Sequence, residues 1–356
     1  VQLRTLPVVR RDTTTVQVGT DPRWAVALAD LSPPAARALA ALPAGATDRA
    51  VLAALRDERV AGDEARAVLD HLAAAHLLVP PPQPAPEQPD ARAWSLLDAG
   101  GDGTSVLAAR SGARVRVSGL DRVGAVVAHT LAMAGVGTLE LDDAAPVGPQ
   151  DVGFGGVSER DLGEHREVAV ARAARADRPH LRTLAPVGRP PDVVVLVDRG
   201  VADPVRHTPL RDAGATHLSV VVREASVLVG PLVVPGSTSC LTCVELHRAD
   251  ADPAWPMVAA QLVADRTVAG LVAETTLATI AGALTAAQVL AHLDGRPCLA
   301  RDAALEVALP LGVPRRQQWL PHPACGCGSH VTVDQGSARA CVGAGAAPDG
   351  VRVRQR

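Results

Sequence analysis

The chain has 356 residues, a length suited to about two domains, and carries 38 acidic against 35 basic residues for a net charge of −3. It contains no Lys, Asn or Tyr, so every basic residue is Arg, and the absence of Lys excludes a GxxxxGK[ST] phosphate loop, a kinase-type catalytic lysine and a pyridoxal Schiff base. An acidic balance with 1% aromatic residues also argues against a nucleic-acid binder, which needs a basic face and stacking platforms.

The opening VQLRTLPVVRRDTTTVQV is charged and has no apolar run of the kind that begins a secreted chain, so a cytoplasmic protein is expected. Strands are expected at Thr14–Gly19 and Trp24–Leu31. Ser32 before Pro33-Pro34, and Thr47 before DRAVLAALRD, are cap signals that open two helices. A third helix, Asp63–Ala75, carries Ala65, Val68, Leu69 and Leu72 at helical spacing. Two strands and three short helices predict a winged helix-turn-helix-like α+β domain over residues 1–79. Its last helix is acidic, which disfavours a phosphate backbone and suits an extended peptide. Arg66 and Asp70 are the candidate peptide contacts.

The run VPPPQPAPEQP holds six prolines and reads as a stiff extended linker, residues 80–92. Strands and helices then alternate through residues 93–330. Strands are expected at Arg114–Gly119, Thr138–Asp143, Asp192–Asp198 and His217–Val222, and helices at Arg122–Gly135 and Arg166–Ala176. This pattern predicts a Rossmann-like, doubly wound, mostly parallel α/β sheet. Thr275–Leu293 is long enough to cross a membrane. Its Ala and Thr content, Gln288, His292 and the flanking Glu274 and Asp294 favour a buried helix instead. With no polar face, it is also expected to line a two-fold homodimer interface. The Gly/Ala-rich tail, 331–356, is expected to be disordered.

The turn after the first strand of the larger domain reads Gly119-Leu-Asp121-Arg-Val-Gly124. Two glycines of a dinucleotide fingerprint are present, but Asp121 replaces the middle one, and its charge opposes a phosphate there. Asp143, at the end of the next strand, is positioned to bond ribose hydroxyls. Four of the six cysteines form two close pairs, Cys240-Leu-Thr-Cys243 and Cys325-Gly-Cys327. Four thiolates satisfy tetrahedral zinc with no open position, which is a structural site. A redox set of thiols, or replacement of one thiolate by His247, His322 or His330, are the alternatives.

Together these features resemble the ThiF-type, ubiquitin-activating-enzyme-like superfamily. RVSGLDRVGAVVAHTLAMAGVGTLELDDAAPVGPQDVG is similar to its nucleotide-binding core, and GPLVVPGSTSCLTC and HPACGC to its zinc clips. PGSTSCLTCVELHRADADPAWPMVAAQL further resembles actinobacterial leader-peptide-binding proteins of thiazole/oxazole-modified peptide biosynthesis. The resemblance spans roughly residues 5–328.

Carried over residue by residue, the resemblance puts the ribose acid on Asp143, the magnesium acid on Asp198 and the basic residue of the following helix on Arg166. The Asn, Arg and Gln of the family's SNLxRQ stretch fall on Asp151, Phe154 and Gly155. A crevice built from Gly119, Asp121, Gly124, Asp143, Arg166 and Asp198 is therefore expected to be degenerate, with ATP and magnesium doubtful as ligands. The resemblance implies a scaffold that binds a ribosomal precursor's leader and presents it to a YcaO-type cyclodehydratase. An active ATP-dependent adenylyltransferase is the alternative. A nicotinamide oxidoreductase is disfavoured by Asp121.

Overall fold

The computed structural model describes residues 1–22, 25–81, 89–97, 102–184, 188–264 and 268–328. Most of the proline-rich linker and the whole tail, with His330 and Cys341, lie outside the described residues.

The chain divides into two compact units, one running from Val1 to Val106 and the other starting at Leu107. The first unit contains β1 (Gln2–Leu3), β2 (Val8–Arg10), β3 (Val16–Val18), β4 (Val26–Leu28), α1 (Pro33–Ala40), α2 (Asp48–Asp57), α3 (Gly62–Ala74), β5 (Leu78–Val79) and α4 (Pro89–Leu97). Strands β2, β3 and β4 make an antiparallel meander with β3 in the middle, and β1 pairs with β5. The Ser32 hydroxyl accepts the Ala35 amide at 3.3 Å and the Thr47 hydroxyl accepts the Ala50 amide at 3.2 Å, so both cap signals act as read. Val16, Val18, Leu39, Val51, Leu55, Val68 and Leu72 close one apolar core. Strands β1, β2 and β5 were not expected. Each is two or three residues long, too short for alternation to register. Helix α4 begins at Pro89, inside the stretch read as linker, because proline suits a first helical turn.

Helix α5 (Gly103–Gly112) carries the division between the units. Beyond it come β6 (Arg114–Ser118), α6 (Arg122–Met133), β7 (Thr138–Asp142), α7 (Arg166–Asp177), β8 (Val193–Arg199), α8 (Pro204–Asp212), β9 (His217–Val222) and β10 (Ser226–Val233). The chain continues through α9 (Leu241–Ala251), α10 (Trp255–Ala264), α11 (Thr275–Leu293), β11 (Ala303–Ala308) and β12 (Arg315–Gln318). One seven-stranded sheet results, ordered β12-β11-β10-β9-β8-β6-β7. Strands β7, β6, β8 and β9 are mutually parallel, and antiparallel pairing from β9 through β12 leaves five of the seven strands pointing one way. This is the mostly parallel α/β sheet expected.

Strand β8 is buried along Val193–Asp198, as a central parallel strand covered on both faces must be. Each fully buried Val or Leu there stabilises the fold by about 1.5–3 kcal/mol. Helix α11 packs on α6 and β10 and buries Leu277, Ala278, Ala281 and Val289. At Gly282 a Cβ would stand 2.6 Å from a Val126 methyl, so a side chain there would force α11 and α6 apart. The antiparallel strands β10, β11 and β12 were not anticipated. Gly230-Pro231 interrupts β10, and proline in a run argues against a strand. Here it sits where the β9–β10 register shifts between Val229 and Leu232, and Gly230, at φ 117, lets the Ala303 carbonyl come close.

Candidate functional site

The crevice lies at the carboxyl ends of β6 and β8, the usual ligand position of an open α/β sheet. Gly119, at φ 92, turns the chain out of β6; a Cβ there would meet the Val197 carbonyl at 2.6 Å. A Cβ on Gly124 would stand 2.0 Å from the Gly119 carbonyl, so no side chain fits at either position. The residue between them behaves differently. Asp121 is the N-cap of α6, and its Oδ1 accepts the amides of Val123 at 3.0 Å and Gly124 at 3.2 Å. Those amides would otherwise face a phosphate. The second oxygen, Oδ2, pairs with Arg199 Nη2 at 2.9 Å.

The other acids are engaged in the same way. Asp143 accepts the amides of Leu120 at 2.8 Å and Ala145 at 3.0 Å, and Arg166 Nη1 at 3.1 Å. Arg166 Nε donates to Asp151 Oδ2 at 2.9 Å. Burial works against the Arg166 charge, but Asp151 and Asp143 outweigh it and raise its pKa above the ordinary value. Asp198 is buried and ion-paired with Arg206, which also donates to the Ser118 carbonyl at 2.8 Å. Burial pushes the Asp198 pKa up and Arg206 opposes it. The structure thus brings Gly119, Asp121, Gly124, Asp143, Arg166 and Asp198 to one end of the sheet, in an arginine–aspartate lattice.

Phe154 is 67% exposed and offers no polar group. Gly155, at φ 104, packs so closely on α6 that a Cβ would lie 2.7 Å from the Ala125 carbonyl carbon. A glutamine has no room at that position. Arg122, Arg199 and Arg206 were not singled out from the sequence. The available signal was an acid beside a base at the end of a strand or the start of a helix, in Asp121-Arg122 and Asp198-Arg199.

A cavity of about 240 Å³ opens beside this lattice, lined by Asp121, Arg122, Gln150, Asp151, Arg166 and Arg199 with the chain from Gly270 to Ala273.

The four-thiol cluster lies elsewhere in the same unit. Cys240, at the start of α9, and Cys243, one turn later, are buried; Cys325 and Cys327 are half-buried on the loop after β12. Their Sγ atoms stand 3.8 Å apart in the first pair, and 3.6 Å apart for Cys240–Cys325 and Cys243–Cys327. A tetrahedron of thiolates at a Zn–S distance of about 2.3 Å has edges of about 3.8 Å, so the four sulfurs fit one metal ion. The contact between the two thiols pulls the Cys240 pKa down and pushes that of Cys243 up.

His247, Asp250 and His322 gather beside it. His322 Nδ1 accepts the Ala324 amide at 3.1 Å, so its Nε2 carries the proton and donates to Asp250 at 2.8 Å. His247 Nε2 donates to the Leu320 carbonyl at 2.9 Å. Neither Nε2 has a lone pair left for a metal. Through these bonds the side chains brace the loop that carries Cys325 and Cys327.

In the first unit, Arg66 and Asp70 are exposed on α3, one turn apart, and share a solvent face.

No protein-family model and no curated protein matches the chain by sequence. Solved structures do match it by fold. E. coli MccB with AMPCPP and MccA superposes with a TM-score of 0.67 at 15% identity, over 93% of this chain and 99% of MccB. The microcin C7 biosynthetic enzyme MccB in complex with N-formylated MccA gives a TM-score of 0.62 at 15% identity, over 92% and 99% of the two chains. PaaA gives 0.67 at 16% identity, over 89% and 99%. The chain shares its fold with MccB and PaaA.

Proposed function

We propose that this chain is a ThiF-type scaffold that binds the leader of a ribosomally made precursor peptide and presents it to a YcaO-type cyclodehydratase, without adenylating the peptide itself. The observation that carries the reading is the carboxylate of Asp121 on the first amides of α6. Adenylation needs unspent positive charge around a transferring phosphate. In this crevice the arginines Arg166, Arg199 and Arg206 are each paired with an aspartate.

The first unit serves as a winged-helix-like recognition element. Its meander has two outer strands, β2 and β4, and an extended peptide can add to such an edge through backbone hydrogen bonds. Arg66 and Asp70 then read the charge of the leader. The similarity to MccB solved with MccA supports a peptide as the partner. Tethering the leader raises the concentration of the core peptide at the partner enzyme. Cys240, Cys243, Cys325 and Cys327 hold a structural zinc that ties the loop after β12 to α9, and two copies of the chain form a cytoplasmic homodimer.

Exchange of radiolabelled pyrophosphate into ATP tests the central claim. No exchange above background is expected, with or without a candidate precursor. One observation favours a second reading, an active adenylyltransferase: E. coli MccB with ATP shares this fold. Exchange that disappears in Asp198→Ala would establish that reading and remove the first.

A further inference from the structure

Strand β12 ends the antiparallel side of the sheet, and among the described residues no strand pairs with its outer edge. The alternation of an antiparallel ladder fixes which groups face outward. The Trp319 amide donates to the Asp302 carbonyl at 2.8 Å, so in the same register Gln317 bonds with Ala304, and Arg315 with Glu306. Arg316 and Gln318 therefore turn their amides and carbonyls away from β11, and neither amide has a partner among the described residues. Such an edge is a template for an added strand. Pro314 and Pro321 flank it, so the open stretch is short.

We propose that β12 accepts, as an added strand, an extended peptide segment carrying a pair of consecutive acidic residues. Charge selects the segment. Arg315 and Arg316 are both exposed, and successive residues of a strand point to opposite faces, so one arginine flanks each face of the incoming chain. Arg316 is held in place by main-chain carbonyls, from Nε to Leu299 at 3.1 Å and from Nη2 to Arg301 at 3.3 Å. Neither arginine has a carboxylate partner among the described residues. Glu306 lies opposite Arg315 in the register but accepts Gln317 Nε2 at 2.9 Å, and Asp302 accepts the Ser239 amide at 2.7 Å. Glutamates opposite the two arginines complete cross-strand ion pairs, whereas lysines there are repelled. The same charges argue against a second copy of this chain, because edge-to-edge pairing would gather Arg315 and Arg316 of both copies on one short ladder. Backbone hydrogen bonds hold the segment, and the arginines choose it.

Fluorescence anisotropy of a labelled peptide, Thr-Val-Glu-Glu-Val-Thr with both ends blocked, tests this on the full-length protein. Saturable binding is expected. A peptide with lysines in place of the glutamates, and one N-methylated at both glutamates, should each bind at least about tenfold more weakly, the first by repulsion and the second by loss of ladder hydrogen bonds. Bound acidic peptide should slow hydrogen exchange in the segment that holds Arg316 and Gln318, which separates this edge from the edges of the first unit. Arg315→Glu should weaken the acidic peptide and strengthen the lysine one. Arg315→Glu/Arg316→Glu should reverse the preference, with far-UV circular dichroism checking the fold. The single variant keeps the test intact if the double one does not fold, because Arg315 makes no side-chain bond among the described residues. No binding of the acidic peptide overturns the proposal, as does binding that leaves exchange at β12 unchanged. Equal binding of the N-methylated form would mean attraction by charge alone and would overturn strand addition.

Discussion

Asp121 Oδ2 lies 2.9 Å from Arg199 Nη2, while Oδ1 of the same carboxylate caps α6. One side chain thus ties the turn after β6 to the end of β8 and satisfies amides that a nucleotide phosphate would otherwise use. The same carboxylate, whose charge would oppose a phosphate at this place, stabilises the turn.

Asp121→Ala is expected to cost about 1–2 kcal/mol, the range for a lost N-cap with some loss of ion pairing. Urea unfolding checks it: the midpoint should fall with the slope unchanged. Asp121→Asn keeps an oxygen for the cap and should recover most of the loss. Equal stability of the Ala variant and the parent would mean that the cap contributes nothing.

One zinc per chain is expected from protein that has never met a chelator, by elemental analysis. Cys243→Ser should reduce it to below about 0.2 per chain, and chelation should lower the melting temperature, because structural zinc contributes folding free energy. Chelator-resistant, metal-free protein would contradict the assignment.

His207 is buried, 4% exposed, and its Nε2 has no partner among the described residues. Burial holds its pKa down to about 4, against an ordinary 6.5. The unfolded chain therefore binds a proton between pH 6.5 and 4 that the folded chain refuses, so stability contributed above pH 6.5 is lost as pH falls through that window. The loss amounts to about 3 kcal/mol by pH 4. Stability measured across this range should flatten in His207→Leu relative to the parent. An unchanged pH profile would locate the acid sensitivity elsewhere.

Leader recognition by α3 is checked by titrating the full-length chain with a precursor leader, and micromolar binding, about −8 kcal/mol, is expected. Asp70→Arg should weaken a basic leader and leave an apolar one nearly unchanged, because Asp70 is exposed and acts through charge alone. Binding of duplex DNA instead of a leader at physiological salt would make the first unit a DNA reader.

On the outer side of α11, Thr276, Ile280 (36% exposed), Ala283 and Ala287 form an exposed stripe without charge. A homodimer covering it is expected, and Ile280→Arg should convert it to a monomer by light scattering at tens of micromolar. A monomeric parent at that concentration would exclude the interface.

Local chemistry alone set much of the architecture. The apolar run at Val193–Val197 can only be a strand covered on both faces, and Ser32 and Thr47 can cap α1 and α2 wherever those helices lie. The spacing of Cys240, Cys243, Cys325 and Cys327 already matched four ligands of one metal, because two short clips need only the loop after β12 to return to α9. The antiparallel half of the sheet was hidden because Pro231 reads as a strand breaker unless a register shift accommodates it, and that shift exists only between paired strands. The lattice was hidden for a related reason. Nothing near Asp121 in the sequence says that Arg199, two helices and two strands later, will reach it, or that Arg206 will neutralise Asp198 and Arg166 will bridge Asp143 to Asp151. A charge has no fixed partner until the chain brings one within hydrogen-bond distance, so the residue types were readable one at a time and their pairing was decided by tertiary structure.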